Sequence, residues 1–426
     1  MDRTDVDLLV VGGGPGGSCA AAFARKKGLS VLLAERDRFP RFHIGESLLP
    51  IGNAILRDCG AWPKVEAAGF VRKLGAEFIL GEGPQTKEIV FAEGYVPNLG
   101  STFQVERRRF DSILLDHASS LGAEVRIGTT VRSLAEGEDS VVATLSGERG
   151  DEEVSARWVI DSGGRENLFA HPLKSRFEEA PFPKRAAVYS HFEGVRRADG
   201  PSGGNIVIAR VGDGWFWVIP VSPTKTSVGL VTSVTNLRGR AAPEEAFAAT
   251  VAGSPRLREV MSGACAVEPF RTTADYSYVR RQFASPRVVL GGDAAVFYDP
   301  IFSSGVYLST RSSKLAVEMI WRAHEAGRPL RPAERRAYTR GLKAHCSVFK
   351  KLIDVFYDNS GFEVFMTPEP PWGLNSGIVS IVAGHVELAW PLWWRFKVFL
   401  AVCWLQRFIP LVPRITHSAR VVSQPS

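Results

Sequence analysis

The first apolar run of the chain is short and unbroken. Leu8–Val11 contains no polar position, which is typical of a strand buried on both faces. A glycine-rich turn follows, and then an alanine-rich stretch through about Lys27 that favours a helix. The segment LSVLLAE supplies a second apolar run, which ends at Glu35. This order predicts a strand–helix–strand unit with parallel strands.

The turn of this unit carries Gly12, Gly14 and Gly17 in the spacing GxGxxG. The first glycine permits a tight turn, the second lets the backbone approach a pyrophosphate, and the third allows close packing of helix on strand. The phosphates then rest on the helix N-terminus. Glu35, at the end of the second strand, can accept hydrogen bonds from ribose hydroxyls. We therefore predict an α/β, Rossmann-like dinucleotide-binding domain.

Two later segments bear on which dinucleotide is bound. RWVIDSGGRE (157–166) and SPRVVLGGDAAVFYDPIFSSGVYLSTRSS (285–313) each contain an apolar strand followed by an aspartate and glycines. Asp293 is placed to bind a ribitol or ribose hydroxyl. The amides of Ser304 and Gly305 would lie at the N-terminus of a helix that begins near Val306, which is a natural anion site. A nicotinamide cofactor would not require this distant segment.

Residues 214–220 read GWFWVIP, a strand pattern that puts Trp215 and Trp217 on one face and Phe216 on the other. Aromatic strands usually line cores, so plain packing is one explanation. The tail at 386–415 is also rich in aromatic residues, but basic residues and prolines interrupt it too often for a membrane-spanning helix. We expect tail helices packed against the body, with contact to a membrane surface or a partner as the alternative.

Composition narrows the class of protein. The chain has 426 residues, of which 45% are hydrophobic and 23% charged, so a globular protein is expected with two or three domains, or with one large fold and an elaborated lobe. The net charge of +7 is dispersed, which argues against a nucleic-acid partner and leaves docking of an acidic partner open. Five scattered cysteines without a CxxC pair argue against disulfides and a metal site. With no signal-peptide pattern at the start, a cytoplasmic location is predicted.

The GxGxxG unit with Glu35, the segment VERRRFD (Val105–Asp111) and the GDA tripeptide at Asp293 resemble the FAD-dependent monooxygenases of the p-hydroxybenzoate hydroxylase type. The resemblance covers about residues 5–330 and puts Arg107 at the flavin-contacting position of that superfamily. The residues predicted to bind the cofactor are Gly12, Gly14, Gly17, Glu35, Arg36, Arg107, Asp293 and Gly305. The predicted domains are a discontinuous FAD-binding domain (1–75, 105–185 and 270–330), an antiparallel β substrate lobe (76–104 and 186–269) and a C-terminal helical cap (331–426).

Within that superfamily, Trp215-Phe216-Trp217-Val218-Ile219-Pro220 is similar to the W-x-W-x-I-P signature of flavin-dependent halogenases. Lys73, which follows the GES segment, falls at the position of their catalytic lysine. Ser304 and Gly305 fall in the turn near which backbone amides hold a halide ion. Lys73 alone would be an ordinary surface lysine. The three elements together point to a halogenase.

The resemblance implies a reaction that uses FADH2 from a separate flavin reductase, oxygen, and chloride or bromide. The hypohalous acid formed would travel to Lys73, which either hydrogen-bonds to it or forms a chloramine, and so holds an electrophilic halogen beside the substrate. Trp215 and Trp217 would keep the substrate away from the flavin. The residues predicted to act in the reaction are therefore Lys73, Trp215 and Trp217.

One position departs from the pattern of tryptophan halogenases. They carry a glutamate directly before the turn at 303–305, where this chain has Phe302. An apolar residue there suits the branch that halogenates electron-rich phenols and pyrroles, some of them bound to carrier proteins. An aromatic hydroxylase or prenyl reductase on the same fold is the second hypothesis, and a non-catalytic, partner-binding flavoprotein is the third.

Overall fold

The computed structural model describes residues 5–148, 150–166, 177–178, 182, 184–238, 242–274, 277–367 and 373–415. The strands are β1 (Val6–Val11), β2 (Val31–Glu35), β3 (Val71–Lys73), β4 (Gly75–Leu80), β5 (Thr86–Val90), β6 (Thr102–Gln104), β7 (Glu124–Ile127), β8 (Thr130–Glu136), β9 (Val141–Gly147), β10 (Gly150–Asp161), β11 (Phe177–Glu178), β12 (Arg185–Glu193), β13 (Ile206–Val211), β14 (Gly214–Pro220), β15 (Thr226–Ser233), β16 (Cys265–Ala266), β17 (Arg271–Ala274), β18 (Tyr278–Arg280), β19 (Val288–Leu290) and β20 (Val296–Phe297).

The helices are α1 (Pro15–Lys26), α2 (Gly52–Cys59), α3 (Trp62–Ala67), α4 (Arg107–Ser120), α5 (Val234–Leu237), α6 (Pro243–Gly253), α7 (Pro255–Val260), α8 (Gly305–Glu325), α9 (Pro332–Tyr357), α10 (Asn359–Phe365), α11 (Leu374–Val382) and α12 (Trp390–Leu405). None of the helices in the described ranges is both long and apolar enough to cross a bilayer.

The chain divides into two compact units. The first comprises 1–69, 105–182 and 277–347, and the second comprises 70–104, 183–276 and 348–426. The predicted division differs in two respects: it has a separate cap at 331–426, and it assigns Lys73 to the FAD-binding domain. Specific contacts account for both differences. Helix α9 is continuous, with Tyr338 bonded to the Leu290 carbonyl in the first unit and Tyr357 bonded to Trp215 in the second. Lys73 lies in β3, which pairs with β6.

The first unit is built on a mixed sheet in the order β7-β2-β1-β10-β9-β8, with β19 added to β10. Strands β7, β2, β1, β10 and β19 run parallel, whereas β9 pairs antiparallel with β10 and β8 pairs antiparallel with β9. The apolar run predicted at Leu8–Val11 lies in β1, where all four residues are buried. The carboxyl ends of β1, β2 and β10 meet at one edge, which is where parallel α/β sheets bind ligands. The predicted Rossmann-like α/β fold is confirmed.

The second unit is built on an antiparallel sheet in the order β16-β12-β15-β14-β13-β4-β5, in which only the β13–β4 pair is parallel. The segment GWFWVIP forms β14 near the centre, and every one of its seven residues is buried. Phe216 packs edge-on against Phe247, with ring centroids 5.1 Å apart, in the apolar core on one face of the sheet. The tryptophans occupy the opposite face, as the period-two pattern predicts.

Candidate active site

At two positions of the glycine turn between β1 and α1, the space is too small for any side chain larger than the hydrogen of glycine. Gly12 has a φ of +93°, and a Cβ there would lie 2.7 Å from the Ser162 carbonyl oxygen. A Cβ on Gly17 would lie 1.8 Å from the Gly12 carbonyl oxygen. Gly14 differs, because a Cβ there would meet nothing closer than the Arg41 guanidinium at 3.4 Å. The turn is therefore closed on its sheet side and open above Gly14.

Glu35 anchors the turn from the end of β2. Its carboxylate accepts a hydrogen bond from the Gly13 amide at 2.5 Å and another from the Asp37 amide at 2.8 Å. The side chain is 4% exposed, so these amides replace water around a buried charge. Arg36, the next residue, is exposed, with its Nε 3.7 Å from the Asp37 carboxylate. A cofactor contact by Arg36 stays a prediction.

Two aspartates lie at the carboxyl ends of the neighbouring strands β10 and β19: buried Asp161 is the last residue of β10, and half-buried Asp293 follows β19. Asp161 accepts a hydrogen bond from the Gly163 amide at 2.9 Å, and Asp293 lies in a 3-10 turn at Gly292–Ala294. Burial raises the pKa of each carboxyl to about 6. Hydroxyl groups of a bound ribose or ribitol would stabilise the charged form of either group, since they would replace the lost hydration. Asp293 is therefore suited to the contact predicted for it.

Arg107 and Arg41 form a buried ionic cluster beside the turn. Arg107 donates two hydrogen bonds to Asp111, at 2.7 and 2.9 Å, and another to the Ile44 carbonyl at 2.7 Å. In these contacts it positions the loop at 44–45, and its direct contact with flavin stays a prediction. Arg41, which sequence reasoning missed, bonds to Asp111 at 3.2 Å and faces Gly14. Only its place after a βαβ unit, in the segment RFPRFHIGES, hinted at a role.

Helix α8 supplies the predicted anion site. Ser303 adopts a left-handed conformation with φ of 55°, which turns the chain sharply into Ser304 as N-cap and Gly305 as first helical residue. Ser304 is buried, whereas a Cβ on Gly305 would meet no atom within 4 Å. A helix of 21 residues presents unpaired amides and a positive dipole end here. Space and charge at this turn are compatible with a halide or a flavin oxygen.

These features test whether the first unit fits FAD. The open cradle above Gly14 is a volume that a side chain would fill, and Arg41 lies beside it with the charge needed for phosphate. Glu35, which is buried at the end of β2, and Asp293, which is half-buried in the turn after β19, are carboxyls to which hydroxyls of a ribose and a ribitol could donate. The residues present fit a dinucleotide with two polyol groups.

Lys73 is among the largest fully buried side chains of the protein, with 1% of its surface exposed. It ends β3, opposite Thr102 of β6, and its Nζ lies 5.3 Å from the centroid of the Phe91 ring. Burial lowers the pKa of the ammonium from 10.5 to about 7. An ordinary surface lysine, the alternative explanation of the motif, is therefore wrong.

Trp215 and Trp217 lie with ring centroids 5.9 Å apart on one face of β14. Trp215 Nε1 donates to the Tyr357 hydroxyl at 2.9 Å, and Trp217 Nε1 donates to Ser227 Oγ at 3.1 Å. The Trp217 ring lies across Gly229 of β15, where a Cβ would come within 2.2 Å of it. Because each indole donor is satisfied within the second unit, the tryptophans offer ring faces rather than free donors.

Comparison with known proteins agrees with this geometry. The family described as "FAD binding domain" matches residues 5–328. The 1H-pyrrole-2-carbonyl-[peptidyl-carrier protein] chlorinase of Pseudomonas fluorescens is 35% identical over 342 residues, which cover 74% of this chain and 76% of the relative. The tryptophan 2-halogenase of Chondromyces crocatus is 34% identical over 361 residues, covering 82% of this chain and 67% of the relative.

Solved structures give the same result. The flavin-dependent brominase Bmp2 superposes with a TM-score of 0.81 at 28% identity, covering 94% of this chain and 99% of its own. The myxobacterial chondrochloren halogenase CndH superposes with a TM-score of 0.77 at 31% identity, covering 95% of this chain and 97% of its own. With the glycine turn, the buried lysine and the aromatic strand in place, the chain belongs to the flavin-dependent halogenases, enzymes of the FAD-dependent oxidoreductase superfamily.

Proposed function

We propose that this halogenase transfers chlorine or bromine to an electron-rich phenol or pyrrole, and that Lys73 holds the halogen beside the substrate. The observation that carries the proposal is the buried Lys73 with a pKa near 7. At neutral pH both the ammonium and the free amine are populated, whereas an exposed lysine would be almost wholly charged. The residue can therefore act as a nucleophile as well as a hydrogen-bond donor.

Both forms of Lys73 give a balanced step with hypohalous acid. The free amine attacks the halogen: the N–halogen bond forms, the O–halogen bond breaks, and the departing hydroxide takes the amine proton to leave as water. The ammonium instead donates a hydrogen bond to the oxygen of hypohalous acid and makes the halogen more electrophilic. Either way the electrophile is held at one place, and the position of the substrate decides which carbon reacts.

The first unit would bind the cofactor and the halide. Reduced FAD supplies the activation of oxygen that halide oxidation requires. Gly14, Glu35 and Asp293 would hold the dinucleotide, and the amides at Ser304 and Gly305 would hold the halide at the positive end of α8. We also propose that a separate flavin reductase supplies the reduced cofactor.

The tryptophans are proposed to act as a partition rather than as acid–base groups. Their indole donors are bound to Tyr357 and Ser227, so the rings are fixed and have no proton to exchange. Two fixed indoles on one sheet face block space that an aromatic substrate would otherwise enter. This exclusion favours halogenation over direct oxygen transfer to the substrate.

The substrate class rests on Phe302, a buried side chain at the position where tryptophan halogenases carry a glutamate. Without that carboxylate, an activated ring is the better target, because phenols and pyrroles need less assistance to attack a halogen. One relative is named for chlorination of a carrier-bound pyrrole, and a similar brominase is 32% identical. A tryptophan 2-halogenase is about as similar, so identity alone does not choose between them. We propose a phenol or pyrrole substrate, free or tethered to a carrier protein.

The test combines the protein with FAD, a flavin reductase and its reductant, oxygen and halide. Phenol, carrier-bound pyrrole and tryptophan substrates are compared, and mass spectra are searched for halogen isotope patterns. Lys73→Met should abolish halogenation while oxidation of reduced flavin continues. Lys87→Met is the matched control, because Lys87 is also buried in the second unit and also has a pKa lowered by burial, to about 8.

Four results would contradict the proposal. Normal halogenation by Lys73→Met would exclude the role of Lys73. Equal loss in Lys87→Met would attribute the effect to any buried lysine of the second unit. Efficient halogenation of tryptophan, with none of the phenol or pyrrole, would overturn the substrate class. Hydroxylated products without halogen would favour an aromatic hydroxylase.

A further inference from the structure

The last helix has two apolar faces, of which only one is covered. Leu392, Phe396, Phe399 and Cys403 of α12 are buried. The opposite side exposes large apolar side chains at helical spacing and continues into the turn that follows the helix. We call this surface the aromatic face: it consists of Trp390 (71% exposed), Trp393 (40%), Trp404 (55%), Phe408 (67%), Ile409 (57%) and Leu411 (49%). Contiguous exposed apolar surface of this kind marks an interaction site.

A buried polar network holds the end of the aromatic face in one conformation. The Gln406 side chain, which is fully buried, accepts hydrogen bonds from the Leu411 amide at 2.7 Å and the Val412 amide at 3.0 Å. Its amide nitrogen donates to Glu363 at 2.8 Å, and Glu363 also accepts from the Ile415 amide at 3.0 Å. Such a satisfied network specifies a rigid turn. The apolar residues of the turn are thus held outward by the fold rather than exposed by fraying.

The charge of the residues around the aromatic face indicates which kind of partner binds there. Residues 390–415 contain Arg395, Lys397, Arg407 and Arg414 and no acidic residue. Lys397 lies within the aromatic face, with its Nζ 5.5 Å from the Trp393 ring centroid, and the Arg407 side chain is 53% exposed even beside Asp358. A second copy docked through the same face would bring these cations together across the two-fold axis. An anionic surface complements them.

We propose that the aromatic face binds the surface of an anionic lipid bilayer, with α12 lying in the plane of the interface. Tryptophan favours the headgroup level, where its ring is amphipathic, and Phe408 and Ile409 would reach the acyl boundary. Lys397 and Arg407 would contact lipid phosphates. An acidic carrier protein is the competing occupant; six exposed apolar side chains beside two exposed cations favour the bilayer. The surface is independent of the halogenation chemistry.

The test is co-sedimentation of the full-length, FAD-loaded protein with vesicles of phosphatidylcholine and phosphatidylglycerol in equal parts, and with vesicles of phosphatidylcholine alone. We expect binding to the anionic vesicles and little to the neutral ones. The double variant Trp404→Ser, Phe408→Ser should bind at least about tenfold more weakly, because two aromatic side chains no longer leave water. Lys397→Glu should weaken binding to the anionic vesicles. Ile127→Ser, which removes an exposed apolar side chain of β7, is the control and should bind normally.

Unchanged flavin content and circular dichroism establish that the variants are folded. Absence of wild-type binding to anionic vesicles would overturn the proposal, as would equal losses in Ile127→Ser and the double variant. Self-association, or binding of an acidic acyl-carrier protein that depends on Trp404 and Phe408 without vesicle binding, would assign the aromatic face to a protein partner instead.

Discussion

Replacing Lys73 by methionine should stabilise the second unit while it removes activity. Methionine keeps an apolar stem of similar length, and it lacks the ammonium that burial disfavours. The pKa of Lys73 is lowered from 10.5 to about 7, and the side chain is 1% exposed, so solvent screening does not reduce the effect. A shift of that size corresponds to about 5 kcal/mol when the lysine is charged in both the folded and the unfolded state.

The gain in stability from Lys73→Met depends on pH, and the direction of that dependence follows from the lowered pKa of Lys73. Below pH 7 the lysine is charged in both states, and the native protein bears the full cost of about 5 kcal/mol. Between pH 7 and 10.5 the unfolded state binds the extra proton, so wild-type stability rises with pH. At pH 9 about 2 kcal/mol of the cost remains. The advantage of Lys73→Met therefore shrinks by about 3 kcal/mol between pH 6 and pH 9.

Thermal unfolding of both proteins at pH 6 and pH 9 measures this change. For a unit of this size, the difference in Tm should shrink by roughly 6–12 °C. Lys87→Met is the control. Its pKa is lowered to about 8, but its Nζ donates to the Thr367 carbonyl at 2.6 Å, and loss of that bond offsets most of the gain. The reasoning is refuted if Lys73→Met is no more stable than wild type at pH 6, or if its advantage is the same at both pH values.

Two glycine substitutions test the geometry of each unit. Gly17→Ala should abolish FAD binding, measured by flavin absorbance of the purified protein, because its Cβ would lie 1.8 Å from the Gly12 carbonyl oxygen. Gly52→Ala is the control and should bind FAD normally, because its Cβ would meet no atom within 4 Å. Equal FAD binding by the two variants would contradict the proposed turn. Gly229→Ala should destabilise the second unit by about 1–3 kcal/mol and change the tryptophan fluorescence, because its Cβ would come within 2.2 Å of the Trp217 ring. Wild-type stability and fluorescence would show that the indole does not lie across Gly229.

The βαβ unit could be predicted in detail because its determinants are local. An unbroken apolar run, three glycines and an acidic strand end lie within about thirty residues, and each constrains the backbone of its neighbours. The prediction of a helix ending near Lys27 and a strand ending at Glu35 is confirmed by α1 and β2. The shared face of Trp215 and Trp217 could be predicted for the same reason, since side chains alternate between the two faces of a strand.

Arg41 and the boundary of the second unit could not be predicted in this way. Arg41 matters only because its guanidinium comes back to Gly14, and no local pattern encodes that return. The separate cap was expected because 331–426 reads as helical, but a continuous α9 gives each end of one helix to a different unit. Which neighbours a helix packs against depends on contacts distant in sequence.

By itself, the sequence determined the glycine turn, the alternation of β14 and the positions that match a halogenase, because these depend on the backbone periodicity of short segments. Tertiary structure alone decided that Lys73 is buried and has a pKa near 7, because desolvation depends on everything that surrounds a side chain. It also decided that Trp217 lies on Gly229, since strand register pairs residues across different segments. The chemistry of Lys73 thus depends on its burial, whereas the sequence pattern identifies only its position in the chain.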